Sequence, residues 1–267
     1  MTKQIAWMTD IHLDFAKATF PQFCHFIKTS PADAFVISGD IYNGLPSGWE
    51  LLKIMEKHAG RPIYFVMGNH DYYGTSILPT RMGISIACTQ SKYLHYLPSE
   101  GVISLSEKTA LIGVDGWADG RYGDFFSSPV DLNDYYYIRE LTDLSQSDRF
   151  KQLNVLADNE ASKARKFLMD AFQRFSQVVM VTHVPPFPEA ALYRGKPTDL
   201  DYLPHYASKV MGDTLLDIMS QWPHRNLLVL CGHTHGKALY EPLPNLCIRT
   251  GAAEYGAPRI ERVMGIP

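Results

Sequence analysis

The chain has 267 residues, 46% of them hydrophobic and 20% charged, and its 25 Lys and Arg against 28 Asp and Glu give a formal charge of −3. These values suit a globular protein and exclude a fibrous or disordered one. A charge so close to neutral gives no electrostatic footing for a general nucleic-acid binder or a membrane-surface binder.

The chain opens on a strand-like run, Ile5-Ala6-Trp7-Met8, and Asp10 interrupts the apolar stretch before a signal-peptide core can form. No run of 18 apolar residues follows, so no transmembrane segment is expected. The same pattern, a short apolar run ending in a polar cluster, then recurs. Residues 34–37 lead to Ser38-Gly39-Asp40, residues 63–67 to Gly68-Asn69-His70-Asp71, residues 178–181 to Thr182-His183, and residues 227–231 to Gly232-His233-Thr234-His235. Short continuous apolar runs fit strands covered on both faces.

Helix-like segments lie between them. Residues 47–58 carry Trp49, Leu51, Leu52, Ile54 and Met55, residues 153–175 carry Leu156, Phe167, Leu168, Phe172 and Phe175 among charges, and residues 213–219 form a shorter candidate. The alternation predicts an α/β sandwich. Weaker pieces at 102–105, 109–114, 237–240 and 246–249 read as antiparallel additions, so mixed sheets are expected. From 115 to about 150 the chain turns Gly- and aromatic-rich, with Trp117, Tyr122, Phe125, Phe126 and Tyr135-Tyr136-Tyr137, and no period holds. This reads as a long loop or partial cap inserted in one domain spanning 1–267. Cys24, Cys88, Cys231 and Cys247 form no C-x-x-C pair and read as reduced core thiols of a cytoplasmic protein.

Each polar cluster falls where a parallel strand would end, the edge at which open α/β sheets bind ligands. Asp10, His12, Asp40, Asn69, His183, His233 and His235 offer seven donors of mixed oxygen and nitrogen type. That mixture suits Mn, Fe or Zn better than Ca or Mg. Seven donors exceed one tetrahedral ion but suit two ions sharing a ligand, and Asp40 is the carboxylate best placed to bridge. Paired ions about 3.5–4 Å apart clamp a phosphoryl group and ionise an attacking water.

The ordered set Asp10-Ile11-His12, Gly39-Asp40, Gly68-Asn69-His70-Asp71, His183 and Gly232-His233-Thr234-His235 resembles the calcineurin-like metallophosphoesterase superfamily, with no ligand position missing. The resemblance implies a four-layer αββα sandwich of mixed β-sheets, with the metal site at the carboxyl ends of the strands. It implies one ion held by Asp10, His12, Asp40 and His235 and a second by Asp40, Asn69, His183 and His233. The two ions would be divalent or mixed-valence Mn, Fe or Zn. A metal-bridging hydroxide would attack phosphorus in line, with His70 as the catalytic residue beside the leaving oxygen.

Two departures narrow the relatives. Asn43 and Gly44 stand where phosphoprotein phosphatases carry an Asp-Arg pair, which removes a usual partner of His70. Asn43 also stands where purple acid phosphatases carry a ligating Tyr, so no coloured Fe(III)-Tyr centre is expected. The expected activity is hydrolysis of a phosphodiester or phosphomonoester, in a small molecule rather than in nucleic acid. A nuclease on the same chemistry and a non-catalytic scaffold with this fold are the alternatives. Arg121, Arg194 and Lys196 are candidates to meet a substrate phosphate, with solvated loop charge as the plainer reading. Asp71 reads as a group orienting a neighbour or as a turn residue; Asp14, Asp115 and Asp119 read as turn or cap residues. His25, His58, His95, His205 and His224 have no motif context.

Overall fold

The computed structural model describes residues 2–267. Its first sheet orders the strands Arg262–Gly265, Gln4–Met8, Ala34–Ser38, Ile63–Val66 and Leu94–Tyr96. The last four run parallel and Arg262–Gly265 pairs antiparallel to Gln4–Met8. The second sheet orders Ala238–Leu243, Leu246–Thr250, Asn226–Cys231, Gln177–Val181, Thr109–Gly113 and Ile103–Ser104. Its four inner strands are parallel and its two edges antiparallel.

Alternation of side chains explains why the strands are apolar throughout. In Gln4–Met8, Ile5 and Trp7 join Val36, Val66, Val179, Val181 and Leu230 in a dry layer between the sheets. Ala6 and Met8 point the other way, into a core shared with Phe23 and Ile27 of the helix Phe20–Thr29 and with Leu52 and Met55 of the helix Leu45–Ala59. The second sheet is covered by the helices Gln146–Arg174 and Lys209–Gln221 through Leu168, Phe172, Leu215 and Ile218. The result is the expected four-layer αββα sandwich. Among the described residues no helix is long and apolar enough to cross a membrane.

Two of the four expected antiparallel additions run parallel instead. Thr109–Gly113 reaches its neighbour Gln177–Val181 through the long helix Gln146–Arg174, a crossover that returns the chain in the same direction. Leu246–Thr250 follows a hairpin that has already reversed the chain, so it pairs antiparallel to Ala238–Leu243 and parallel to Asn226–Cys231. The helix Ile77–Thr89 escapes periodicity analysis because Leu78, Met82 and Ile86 are 65%, 57% and 59% exposed while its inner face is also apolar.

The stretch 115–145 is irregular apart from one helical turn at Asp134–Tyr137. It ends earlier than expected, because Ser145 caps the helix Gln146–Arg174 by accepting the Asp148 N–H at 3.1 Å. Trp117, Phe125 and Tyr135 are buried in the core beneath it, so much of its aromatic content is packing.

Asp115 is not the turn residue that its position suggests. It is buried and accepts the Met67 N–H at 2.9 Å, the hydroxyls of Tyr72 and Tyr96, each at 2.6 Å, and Arg81 Nε at 2.9 Å. Its own N–H donates to Glu160 at 3.0 Å, and Arg81 also pairs with Glu160 at 2.9 Å. One guanidinium thus compensates two buried carboxylates from different layers. Arg81→Ala strands both and should cost about 3–5 kcal/mol of stability by urea denaturation; a loss below about 1 kcal/mol would show that the network contributes little.

Candidate metal centre

The five polar clusters follow the carboxyl ends of Gln4–Met8, Ala34–Ser38, Ile63–Val66, Gln177–Val181 and Asn226–Cys231, and the two sheets bring these ends together. Sharp backbone bends turn the side chains inward. Asp10, His12, Asp40, His233 and His235 have φ of 47°, 37°, 51°, 70° and 55°, a region that non-glycine residues enter only where the surroundings force it. The glycine of G-N-H-D serves close approach: a Cβ on Gly68 would fall 2.2 Å from Asp40 Oδ1. Gly39 has φ +89°, and a Cβ there would meet the His183 ring at 2.5 Å.

Asp10, His12, Asp40 and His235 place one donor atom each within 4.8 Å of all the others. His12 Nε2 lies 3.2 Å from His235 Nε2, which lies 3.4 Å from Asp10 Oδ1, and His12 Nε2 is 3.8 Å from Asp40 Oδ2. Asp10 is steadied by the Thr9 hydroxyl at 2.6 Å and the His233 N–H at 3.0 Å. Burial pushes His12 down to about 4, so its ring is neutral and able to ligate near pH 7.

A second group forms on the other side of Asp40. His183 Nδ1 donates to the Ser38 carbonyl at 2.8 Å and His233 Nε2 to the His205 carbonyl at 3.0 Å. Asn69 Nδ2 donates to Asp134 Oδ1 at 2.8 Å. These bonds turn His183 Nε2, His233 Nδ1 and Asn69 Oδ1 toward one another, each imidazole nitrogen 3.0 Å from the amide oxygen and the two 3.3 Å apart. Asp40 Oδ1 stands 3.3 Å from His183 Nε2. Four atoms able to ligate a cation converge in this buried space. The electrostatics agree: against burial, Asp40 pushes His183 up to about 10. Against its own burial, Asp40 is held well below the usual carboxylate range by His183 and His70. A metal ion fits that demand for positive charge, and the donor set suits Mn, Fe or Zn.

All seven sequence-predicted donors therefore meet at one place, and His70 borders it. His70 Nε2 is 3.9 Å from Asp40 Oδ2, its N–H donates to Asp40 Oδ1 at 3.0 Å, and its ring stacks on Tyr73 at 4.4 Å. Asn43, expected to deprive His70 of a partner, supplies one: His70 Nδ1 stands 2.6 Å from Asn43 Oδ1. Asp71 is buried and accepts the N–H groups of Ile41, Tyr42 and Gly68 at 2.8–2.9 Å, clamping the Asp40 loop to the Asn69 loop. Asp119 does act as a cap, accepting the Val210 N–H at the start of Lys209–Gln221. Arg121 is engaged by a two-pronged bond to Asp158 at 2.6 and 2.9 Å and is not among the residues lining the cleft described below.

Several neighbours of the site leave no mark in the sequence. Asp134 lies in the aperiodic insert, and its Oδ1 also accepts the Tyr73 hydroxyl at 2.7 Å. Tyr255 packs 4.5 Å from His12 and 5.0 Å from His235, and Tyr206 lies 5.1 Å from His233. These tyrosines, with Tyr73, Tyr193 and Arg194, line a cleft of about 570 Å³ that opens onto Asp40, Asn69, His70, His233 and His235. Asp134→Ala releases the Asn69 amide and should weaken binding of the second manganese ion by roughly 10–100-fold in a calorimetric titration. Two unchanged binding steps would mean that Asp134 does not position Asn69.

Similarity to known proteins agrees with this geometry. A dimetal phosphatase from Danio rerio superposes with a TM-score of 0.60 at 12% identity, over 96% of this chain and 89% of that one. The protein TT1561 of Thermus thermophilus superposes at 0.52 with 13% identity, over 94% and 90%. GAP50 of Plasmodium, described as the anchor in the inner membrane complex, superposes at 0.51 with 15% identity, over 97% and 76%. At such identities these structures share the fold, and no curated protein matches the chain by sequence. Residues 3–237 match the sequence pattern of the calcineurin-like phosphoesterases. The chain belongs to that family, the metal-dependent phosphoric ester hydrolases built around a dinuclear metal centre.

Proposed function

We propose that this chain hydrolyses a P–O bond of a small-molecule phosphodiester or phosphomonoester, with residues 1–267 working as one unit. The observation that carries the reading is Asp40, one carboxylate whose Oδ1 faces His183 at 3.3 Å and whose Oδ2 faces His12 at 3.8 Å. In this reading Asp10, His12, Asp40 and His235 hold one ion and Asp40, Asn69, His183 and His233 hold the other. Such ions, when bound, supply charge stabilisation at the phosphoryl oxygens and a strong nucleophile drawn from water. The protein orients that chemistry through the fixed imidazole tautomers of His183 and His233.

His70 has the geometry of a proton donor. Its Nδ1 is tied to Asn43 and its ring lies against Tyr73, which leaves Nε2 on the side of Asp40, 3.9 Å from Oδ2, with the residue on the cleft lining. Asn43 fixes the ring without adding charge. In its protonated form His70 keeps that bond and offers Nε2–H to the leaving oxygen. The near-neutral charge and a single arginine on the cleft lining disfavour a nuclease. The fold is shared with a Plasmodium protein described as an anchor, and one fold can serve several tasks, but the complete donor set here supports catalysis. Four free cysteines support a reducing compartment such as the cytoplasm.

The test is turnover of bis(p-nitrophenyl) phosphate and p-nitrophenyl phosphate by manganese-loaded protein. Asp40→Asn and His183→Ala should each lower the rate by more than about 10³-fold, and His70→Ala by about 10²–10⁴-fold. Wild-type rates in Asp40→Asn and His183→Ala would sink the reading. Which of the two esters is turned over faster decides between diester and monoester.

A further inference from the structure

One side of the cleft is formed by a short hairpin that the metal centre does not need. Its strands, Leu192–Tyr193 and Lys196–Pro197, pair antiparallel and turn through Arg194 at φ +50° and Gly195 at φ +74°. Two consecutive left-handed residues make the tight turn that matches the twist of a two-residue hairpin. The hairpin rests on the last ligand loop. Gly236 follows His235 directly, and a Cβ there would fall 1.9 Å from the Leu192 carbonyl oxygen. The base is closed by the Thr198 N–H and hydroxyl, both donating to the Ala191 carbonyl. The turn is therefore held at a set position relative to His233 and His235.

Arg194 is the single arginine or lysine on the cleft lining, which also carries the carboxylates of Asp134 and Glu254. Among the described residues it makes no ion pair, and its guanidinium lies 5.2 Å from the Tyr193 ring. The guanidinia of Arg61, Arg81 and Arg121, by contrast, are engaged by carbonyls or carboxylates. A guanidinium left free beside a phosphoester site, on a turn anchored to a metal-ligand loop, is a two-pronged receptor for oxyanions. Tyr193, Tyr206 and Tyr255 add aromatic surface to the same cleft, whose volume of about 570 Å³ suits a molecule of nucleotide size.

On the phosphoesterase reading above, we propose that Arg194 grips a second phosphoryl group of the substrate, remote from the ester that is cut. The substrates are then small phosphoesters carrying two phosphoryl groups on a body with a flat unsaturated face. The hairpin selects them, and the metal centre treats the ester itself without regard to that second group.

A matched pair of probes isolates this role: the p-nitrophenyl ester of thymidine 5′-phosphate, with and without a 3′-phosphate. Hydrolysis of either consumes one water and releases p-nitrophenolate and the thymidine phosphate. With manganese-loaded wild type, the 3′-phosphate should lower KM by about tenfold. In Arg194→Ala, whose side chain is exposed and leaves the core untouched, the two KM values should converge to within about twofold, and Arg194→Lys should recover part of the difference. Calorimetry gives a second readout. Thymidine 3′,5′-bisphosphate should bind more tightly than thymidine 5′-phosphate to wild type, and this preference should be lost in Arg194→Ala. Turnover of both esters with equal KM, and a ratio unmoved by Arg194→Ala, would overturn the phosphoryl grip while leaving the phosphoesterase reading in place. Turnover of neither ester and none of p-nitrophenyl phosphate by manganese-bound wild type would overturn that reading, and the substrate assignment with it; turnover of p-nitrophenyl phosphate alone would leave the calorimetric preference to decide the grip.

Discussion

A single buried carboxylate, Asp40, is the constraint around which the rest of the site is arranged. Removing a carboxylate from water is costly unless positive charge and hydrogen bonds replace the lost hydration. Here the His70 N–H donates to it, and the rings of His12, His70 and His183 surround it. Its left-handed backbone, the glycine before it and the glycine at 68 all follow from bringing one side chain between two sheets. Those rings hold the carboxylate ionised against its burial, and a bound cation would answer the same demand for positive charge.

Holding such a site in register requires the two sheets to behave as one body. Apolar packing between them is dry but not directional. Direction comes from polar groups anchored in different layers. Asp71 binds the loops after the second and third strands to each other. Asp115, leaving the second sheet, reaches the Met67 N–H in the first and is itself held by Arg81. Asp134 reaches Asn69 and Tyr73 from the aromatic insert. Donor atoms placed to a few tenths of an ångström depend on this kind of support.

The fold and the metal centre leave the choice of substrate open, because the same sandwich serves several tasks. In this chain the choice falls to what lines the cleft: the insert on one side, and on the other the hairpin and the loop carrying Tyr255. Tyrosines pressed against His12, His70 and His233 narrow the cleft and present flat surface within it. Arg194 adds the one charge of the sign a phosphate seeks.

Much of this was legible in the chain itself. Strands buried on both faces must be apolar throughout, so five of them are visible as short runs, and their polar ends carry the candidate donors in order. Donor chemistry is carried by residue type, which is why Asp10, His12, Asp40, Asn69, His183, His233 and His235 stand out in the sequence as candidate donors; that they converge is a fact of the tertiary structure. Strand direction was not legible, because alternation reads the same both ways; only the connecting helix or hairpin decided that 109–113 and 246–250 run parallel. Helix Ile77–Thr89 was hidden because its outer face is apolar too. Tertiary structure alone made Asp115 a hub rather than a turn, gave Asn43 to His70, brought Asp134 to Asn69 and paired Arg121 with Asp158. Each of those outcomes depends on a partner 27 or more residues away, and no local pattern encodes a contact across such a separation.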